Sequence, residues 1–467
     1  MVSAVVILLI IGCVAHLYGR KLIQHICVEF NISSFVKKTA VVVCTLFISG
    51  YSFAQNLTLD DAVNIALKNS LDIQLAKNNV TVNDINNYIG IAGGLPVISG
   101  TATDAEQLSN INQKYADPNR NVEKRGVATN NLSGNVQASY LLFNGMRVVT
   151  TKKRLNELLV QSKEQLNSQV QNIIASVMTA YYDVIRQQNY IKTIDQSLIV
   201  SQQKLDIVKT QQTVGMANNA DLFQAQVDYN TLVQSHQSQQ LAIDQSKTEL
   251  LRLLTLKADS VITISDTIMV DQSLVLGTIL DNLPNNPDLR AAEDQVRINQ
   301  FIVKETAAQR YPSLRLNGGY SFVYNSSAAG DTRLNNSYGP TIGVGVGVPI
   351  YNGSIYKRQQ KIAEVNVNSA ELNKDIIVRD YSANIIKTYQ AYTTTLKQLE
   401  TQRKNYELSK QLVDLILQKF QLHQATIIDV RTAQQSFELA GYSLINLSFS
   451  AKSSEIELKR VSSQLKP

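Results

Sequence analysis

The chain has no tryptophan, only three cysteines and four histidines in 467 residues. All three cysteines, Cys13, Cys27 and Cys44, come before Ala54, where Ser52-Phe53-Ala54 fits a small-x-small cleavage site. A chain that starts at Gln55 therefore has no thiol, which excludes disulfide stapling and cysteine chemistry. Beyond that point only His236 and His423 remain, too far apart in sequence to suggest a metal site, so no metal or cofactor is expected. No basic block is interleaved with aromatics, which speaks against nucleic acid. The formal net charge of +6 owes +3 to residues 1–54, where Arg20, Lys21, Lys37 and Lys38 face Glu29 alone. No catalytic triad and no phosphate-cradling glycine loop is present, and the carboxylates are scattered, so an enzyme is not expected.

The front end reads as targeting sequence. Lys37-Lys38 is a charged start, Thr39 to Ile48 an apolar centre too short to span a bilayer, and the cleavage motif follows. Residues 1–34, with a nearly continuous apolar run from Ala4 to Gly19, are either an upstream extension or an anchor. Ile10-Ile11-Gly12-Cys13 loosely resembles a lipoprotein box, but no Lys or Arg precedes it. Residues 1–54 are thus set aside as N-terminal extension and signal peptide.

Glycine and proline are missing from two long stretches, Met146 to Val214 and Ser354 to Leu422. In the first, apolar residues recur at steps of three and four: Leu166, Val170, Ile173, Val177, Tyr181 and Val184. That is the period of an amphipathic helix or coiled coil. One helix of this length would run about 100 Å, more than a compact domain needs. Asn144-Gly145 precedes the first stretch and Asn352-Gly353 the second, an offset of 208 positions. At that offset Tyr181 meets Tyr389, Asp221 meets Asp429, and Arg252 meets Arg460. Upstream the offset is 216, set by Pro96 and Pro312, and Asn69 then meets Asn285. The chain is a tandem duplication, with a first structural repeat over 55–260 and a second over 261–467.

Each repeat opens with a helix. The first is predicted from Thr58, as N-cap with Asp61, to about Ile91; its counterpart runs from Leu276 to Arg310. Between these helices and the long stretches the period changes to two. Leu132, Val136, Ala138, Tyr140 and Leu142 alternate with polar residues until Leu141 and Phe143 break the pattern. Ile342, Val344, Val346, Val348 and Ile350 alternate with Gly343, Gly345, Gly347 and Pro349. Four strands follow, near 96–102, 132–143, 312–324 and 341–350, with polar loops over Asp104 to Asn130 and Asn325 to Tyr338. One apolar face and about ten residues per strand suit a membrane barrel. Returning helices are expected over 218–257 and from about Ile427 to Leu465, with a β-prone insert at 258–275.

The order helix, hairpin, very long helix, tight turn, returning helix, all repeated, resembles the TolC-like outer-membrane efflux proteins. The motifs that carry it are Leu57-Thr58-Leu59-Asp60-Asp61-Ala62, Leu142-Phe143-Asn144-Gly145, Pro349-Ile350-Tyr351-Asn352-Gly353 and Val214-Gly215-Met216. Each is weak alone; their order and duplication are specific. Four strands cannot close a barrel, and an open edge cannot sit in lipid, so several chains must share one. The resemblance implies a mainly α fold with membrane β: a homotrimer with a twelve-stranded barrel in outer-membrane lipid and a long α-helical tunnel through the periplasm. It implies an exit duct for a tripartite efflux or type I secretion system, fed by an inner-membrane transporter and a periplasmic adaptor (membrane fusion) protein. It also implies adaptor docking at two turns, Val214, Gly215, Met216 and Ala217, and Leu422, His423, Gln424 and Ala425. It implies a periplasmic gate at Asp429 and Asp221, with Phe420 where the family often has tyrosine, and strand-to-helix turns at Gly145 and Gly353. His423 stands where glycine is usual, and Thr432 where a second acidic residue is expected. The alternative is a periplasm-spanning coiled-coil scaffold without conduction, for which Val344, Val346 and Val348 on one strand face would have no use.

Overall fold

The computed structural model describes residues 55–329 and 332–465; the predicted signal segment and residues 1–34 lie outside the described residues. β1 (Gln55–Asn56) pairs in parallel with β4 (Ile262–Thr263), and these short strands belong to a small unit of their own. Among the described residues the β-prone insert is strand only at those two positions, matching the two residues of β1 that it pairs with.

Everything else forms a second unit. Its first repeat holds α1 (Leu59–Asn69), α2 (Leu71–Asn86), β2 (Val97–Gln113), β3 (Val122–Phe143), α3 (Arg147–Thr213) and α4 (Asn219–Leu253). Its second repeat holds α5 (Leu276–Asp281), α6 (Pro287–Ala308), β5 (Ser313–Ser327), β6 (Leu334–Gly347), α7 (Ile355–Gln421) and α8 (Ile427–Val461). The two glycine- and proline-free stretches are single helices of 67 residues each.

The opening helix differs from expectation. It breaks at Ser70, whose hydroxyl caps α2 by accepting from the Ile73 amide, and it stops at Asn86 rather than near Ile91. A hydroxyl that satisfies an orphan amide competes with helix continuation. The second repeat breaks at Asn286, which accepts from the amides of Asp288 and Leu289 and stands 216 positions after Ser70.

The strands are longer than predicted. β2 and β3 have 17 and 22 residues, so most of the expected loop from Asp104 to Asn130 is paired strand. Likewise β5 reaches Ser327 and β6 begins at Leu334. Polar residues end the apolar face without ending the ladder, since backbone groups pair whatever the side chain. The sheet order is β2-β3-β5-β6, antiparallel throughout, which leaves β2 and β6 as edges.

The helices lie beside one another as a wall. α3 and α7 run its whole length. Near the strands, α2 packs on α3, α6 lies between α3 and α7, and beyond the middle α4 packs on α3 while α8 lies between α3 and α7. Ile279, Leu283, Leu289, Ile385, Tyr392, Leu458 and Val461 form one apolar core in the second repeat. A smaller core at the turns takes Leu205 and Val208 from α3, Ala225 from α4, Phe420 from α7 and Val430 from α8.

Candidate functional site: a sheet face and two helical turns

Residues directly opposite one another in neighbouring strands share a face. Val136 faces Gly100 and Tyr320, and Tyr320 faces Pro340; Ala138 faces Ile98 and Gly318, and Gly318 faces Ile342. Leu316 joins Tyr140 to Val344. These apolar positions, drawn from all four strands, therefore lie on one side, and Ile342 is 86% exposed there. The other side carries Thr101, Asn135, Ser321 and Gly339 in one row, and Ser139 donates to Asn317 Oδ1 at 2.8 Å in another. A bulge explains where the alternation fails. Leu141 pairs with Arg315 and Phe143 with Leu314, so Leu142 is the extra residue and Phe143 is turned back to the apolar side.

The strand-to-helix turns at Gly145 and Gly353 have φ of 68° and 67°, followed by left-handed Met146 and Ser354. At Gly145 a side chain would also collide, since an added Cβ would sit 2.7 Å from Tyr311 Cβ and 2.9 Å from the Ala308 carbonyl oxygen. Two left-handed residues in a row turn the chain sharply from strand into helix, and glycine takes the first of them cheaply.

The far turns are twins built from different residues. Gly215 donates to Gln212 O at 3.0 Å and Met216 to Gln211 O at 2.7 Å; His423 donates to Phe420 O at 3.1 Å and Gln424 to Lys419 O at 2.8 Å. Both are Schellman closures with a left-handed residue, φ 76° at Gly215 and 59° at His423. The missing glycine at 423 thus changed the residue and kept the conformation. Gln211 Nε2 lies 3.3 Å from His423 Nδ1 and joins the two turns. Val214, Met216 and Leu422 are each more than 60% exposed, an apolar crown at the end of the wall. Gln424 is exposed, whereas Ala217 and Ala425 pack against the core beneath.

Asp221 and Asp429 occupy the same station in capping boxes. Asn218 Oδ1 accepts from the Asp221 amide at 2.8 Å, and the Asp221 carboxylate accepts from the Asn218 amide at 3.4 Å. Thr426 Oγ1 accepts from the Asp429 amide at 3.2 Å, and the Thr426 amide and hydroxyl each donate to Asp429 Oδ2 at 2.8 Å. Those two donors hold the Asp429 carboxyl below the usual carboxylate range. Asp429 stays solvent-exposed. Phe420 is 6% exposed, and its ring fills the core under the turns. Thr432 turns its hydroxyl back to Ile428 O at 2.9 Å.

One constellation near the turns has no counterpart in the sequence reading. Lys204 is fully buried and donates to Asp228 Oδ2 at 2.7 Å, with Arg431 3.9 Å from the other oxygen. Ser197 and Ser201 are buried on the same helix face. Gln434 donates to Ser197 O at 3.1 Å, and burial pushes the neighbouring Glu438 carboxyl up. The signal was the spacing 197, 201, 204, 208, a heptad stripe with polar residues at three of four positions.

Comparison with known proteins agrees with this geometry. A family model described as "Outer membrane efflux protein" matches residues 62–255 and 279–463. The "Toxin and drug export protein A" of Aggregatibacter actinomycetemcomitans is 24% identical over 74% of this chain and 73% of its own length. The "Outer membrane efflux protein BepC" of Brucella suis is 21% identical over 83% of this chain and 81% of its own. Among solved structures, the outer membrane protein VceC from Vibrio cholerae superposes with TM-score 0.71 at 18% identity, over 86% of this chain and 95% of that one. The Campylobacter jejuni CmeC outer membrane channel gives TM-score 0.73 at 16% identity, over 88% and 87%.

Proposed function

Because the chain belongs to the outer membrane efflux protein family and is an outer-membrane protein of the Gram-negative type, we propose that it is the exit duct of a tripartite efflux or type I secretion system. Three copies share a twelve-stranded barrel, and their helices continue it as a tunnel through the periplasm. The observation that carries this reading is the four-stranded sheet with one apolar face and two open edges, joined by tight turns to helices of 67 residues. An open edge in lipid leaves backbone groups unpaired at several kcal/mol each, so the sheet closes with its own copies. The two repeats then take the roles of 55–260 and 261–467.

The turns take the docking role, with the exposed Val214, Met216 and Leu422 beside Gly215, His423 and Gln424 as the surface for a periplasmic adaptor. An inner-membrane transporter completes the path. Asp429, with Asp221 from the first repeat, supplies the periplasmic gate. Repeated around a threefold axis, carboxylates concentrate cations and repel anions. Phe420 acts there from beneath, by holding the end of α7 against the other three helices.

Conductance in planar bilayers tests the gate. D429N is expected to lower cation preference and weaken block by multivalent cations, with trimer assembly unchanged. Unaltered selectivity would leave Asp429 as a helix cap only. Cysteines introduced at Ala217 and Ala425 are expected to crosslink to a periplasmic adaptor, and ones at Asp104 and Asn325 to label from outside the cell. The reverse pattern would invert the topology.

A further inference from the structure

The helical end of the sheet carries charge of one sign. Residues 87–96, 144–156, 306–316 and 348–363 join the strands to α2, α3, α6 and α7, and they hold nine lysines and arginines with no aspartate or glutamate. Residues 55–467 carry +3 in all, of which these segments supply +9 and the remainder −6. The far end of the same sheet is balanced. Residues 104–130 hold four charges of each sign, and residues 325–341 one of each.

Three of the nine have other roles. Arg154 pairs with Glu305 at 2.7 Å, and Lys152 donates to the Asn87 carbonyl at 2.9 Å. Arg315 pairs with Leu141 and Gly345 on the polar side of the sheet. The other six, Arg147, Lys153, Arg310, Lys357, Arg358 and Lys361, are exposed, and none forms an ion pair among the described residues. Lys153 and Lys361 stand at duplicate positions, 208 apart. On α3, Lys153 sits between Lys152, which reaches the end of α2, and Arg154, which reaches α6, so it projects from an open face of the wall.

This placement runs against helix electrostatics. A helix start carries partial positive charge, so a cation there is unfavourable. Each of the other helices with eleven or more residues has an aspartate in its first turn. α3 and α7 have none, and begin instead with Arg147 and with Lys357 and Arg358. Cations kept in that field without a partner in the chain mark a surface whose counter-charge comes from outside it.

The level of the patch says what that counter-charge is. Lys153 and Lys361 are the deepest of the helix-borne six, about 9 Å down their helices. A headgroup layer is about 5–8 Å thick, and long basic side chains reach back toward it. Tyr88, Tyr140, Phe143, Tyr311 and Tyr351 are exposed at the same end of the sheet. Rings of this kind collect where hydrocarbon meets headgroups.

We propose that these six side chains form a basic girdle that binds the phosphates of anionic phospholipids in the leaflet facing the periplasm. The proposal rests on the reading of the sheet as a membrane barrel and adds the lipid that its inner rim selects. The balanced far end gives the opposite leaflet no such attraction. Near an anionic surface each lysine or arginine is worth about fivefold in affinity. The attraction fades beyond a Debye length of about 10 Å at 0.1 M salt.

The test offers the purified full chain in detergent phosphatidylglycerol or phosphatidylcholine with the same acyl chains, and native mass spectrometry counts the lipid retained. Phosphatidylglycerol is expected to be preferred by about tenfold or more at low salt, and the preference to shrink as salt is raised. K153Q/K361Q is expected to cut it by about fivefold or more, and R147Q/K153Q/K357Q/K361Q to abolish it. K153R/K361R should keep it, as should K114Q/K124Q at the balanced end. Heat-modifiable migration checks that each variant assembles, and the salt series needs no variant. No preference in the unaltered protein, or a full one in the quadruple variant, overturns the girdle. So does a shift of ion selectivity in planar bilayers by K153Q/K361Q with lipid preference unchanged, which would turn the lysines to the lumen. Loss of binding to purified peptidoglycan with lipid preference unchanged would make the cell wall the partner instead. An assembled, conducting channel without lipid preference defeats the girdle alone, whereas a chain that neither assembles nor conducts defeats the barrel reading.

Discussion

Four pairs of positions in the two repeats, Gly145 and Gly353, Met146 and Ser354, Gly215 and His423, and Thr255 and Ser463, stand 208 residues apart, and every member has left-handed backbone. Only the first pair kept its residue type. The helix breaks at Ser70 and Asn286, and the capping boxes at Asn218–Asp221 and Thr426–Asp429, repeat in the same way with different side chains. The surfaces between these fixed points diverged: Arg154 became Ile362, and Glu305 answers to Ile89. A backbone turn can be held by any residue that leaves its hydrogen bonds intact, whereas a helix face must match whatever covers it. The repeats therefore share their chain path and differ where their neighbours differ.

The sharpest way to break this comparison lies in the sheet, where the repeats are expected to behave alike. V136R and V344R put a charge at duplicate positions of the apolar face, at a cost of about 2–4 kcal/mol near mid-bilayer. Both are expected to block membrane assembly, as read by heat-modifiable migration in outer-membrane fractions. G343S, on the opposite face where an added Cβ meets nothing within 4 Å, is expected to assemble normally. Normal assembly of either arginine variant would reassign that strand face.

The turns are expected to respond with opposite signs. G215V forces a branched residue into a left-handed turn and costs about 1–2 kcal/mol. H423G relaxes the twin turn and gains up to about 1 kcal/mol, less the contact with Gln211. Hydrogen exchange at the amides of Gly215, Met216, His423 and Gln424 reads both. Equal losses would mean that His423 contributes more through its side chain than its backbone costs. The caps come next: N218A and T426A should each destabilise the adjoining helix start by about 1 kcal/mol, visible as faster exchange in the first turn of α4 or α8 alone.

The smallest effect separates Asp294 from its counterpart Asn78. Burial pushes the Asp294 carboxyl up to about 6 from an ordinary 3.8, against the lowering influence of Arg297. A raised carboxyl binds its proton more tightly folded than unfolded. Its favourable contribution is full below about 3.8 and lost as pH rises through about 6. D294N makes the second repeat resemble the first and should flatten that stretch of the melting-temperature profile. An unchanged slope would place the titration elsewhere.

The long helices were legible almost to the residue, because two 69-residue stretches without glycine or proline leave the backbone no reason to stop. The apolar sheet face was equally plain from its period of two. The strand lengths were not, since Asp104 to Asn130 is polar and polarity reports solvent, not pairing. Phe420 was placed at the gate by resemblance, but an aromatic at the end of an amphipathic stretch is as well suited to the core it fills. The capping boxes of Asp221 and Asp429 were not legible, because their reciprocal bonds depend on the backbone of the helix start.

By itself, then, the sequence determined period, punctuation and repetition: which residues form helix, where the chain turns, and that it does so twice at one offset. These are local properties, set by backbone freedom and side-chain spacing. Tertiary structure decided what each face meets. It buried Lys204 against Asp228, turned Phe143 to the apolar side through the bulge at Leu142, covered α3 with α6, and left the matching face of α7 open. The reason is that a face is apolar or charged in the sequence, but its partner is fixed only when strands and helices from distant parts of the chain are brought side by side.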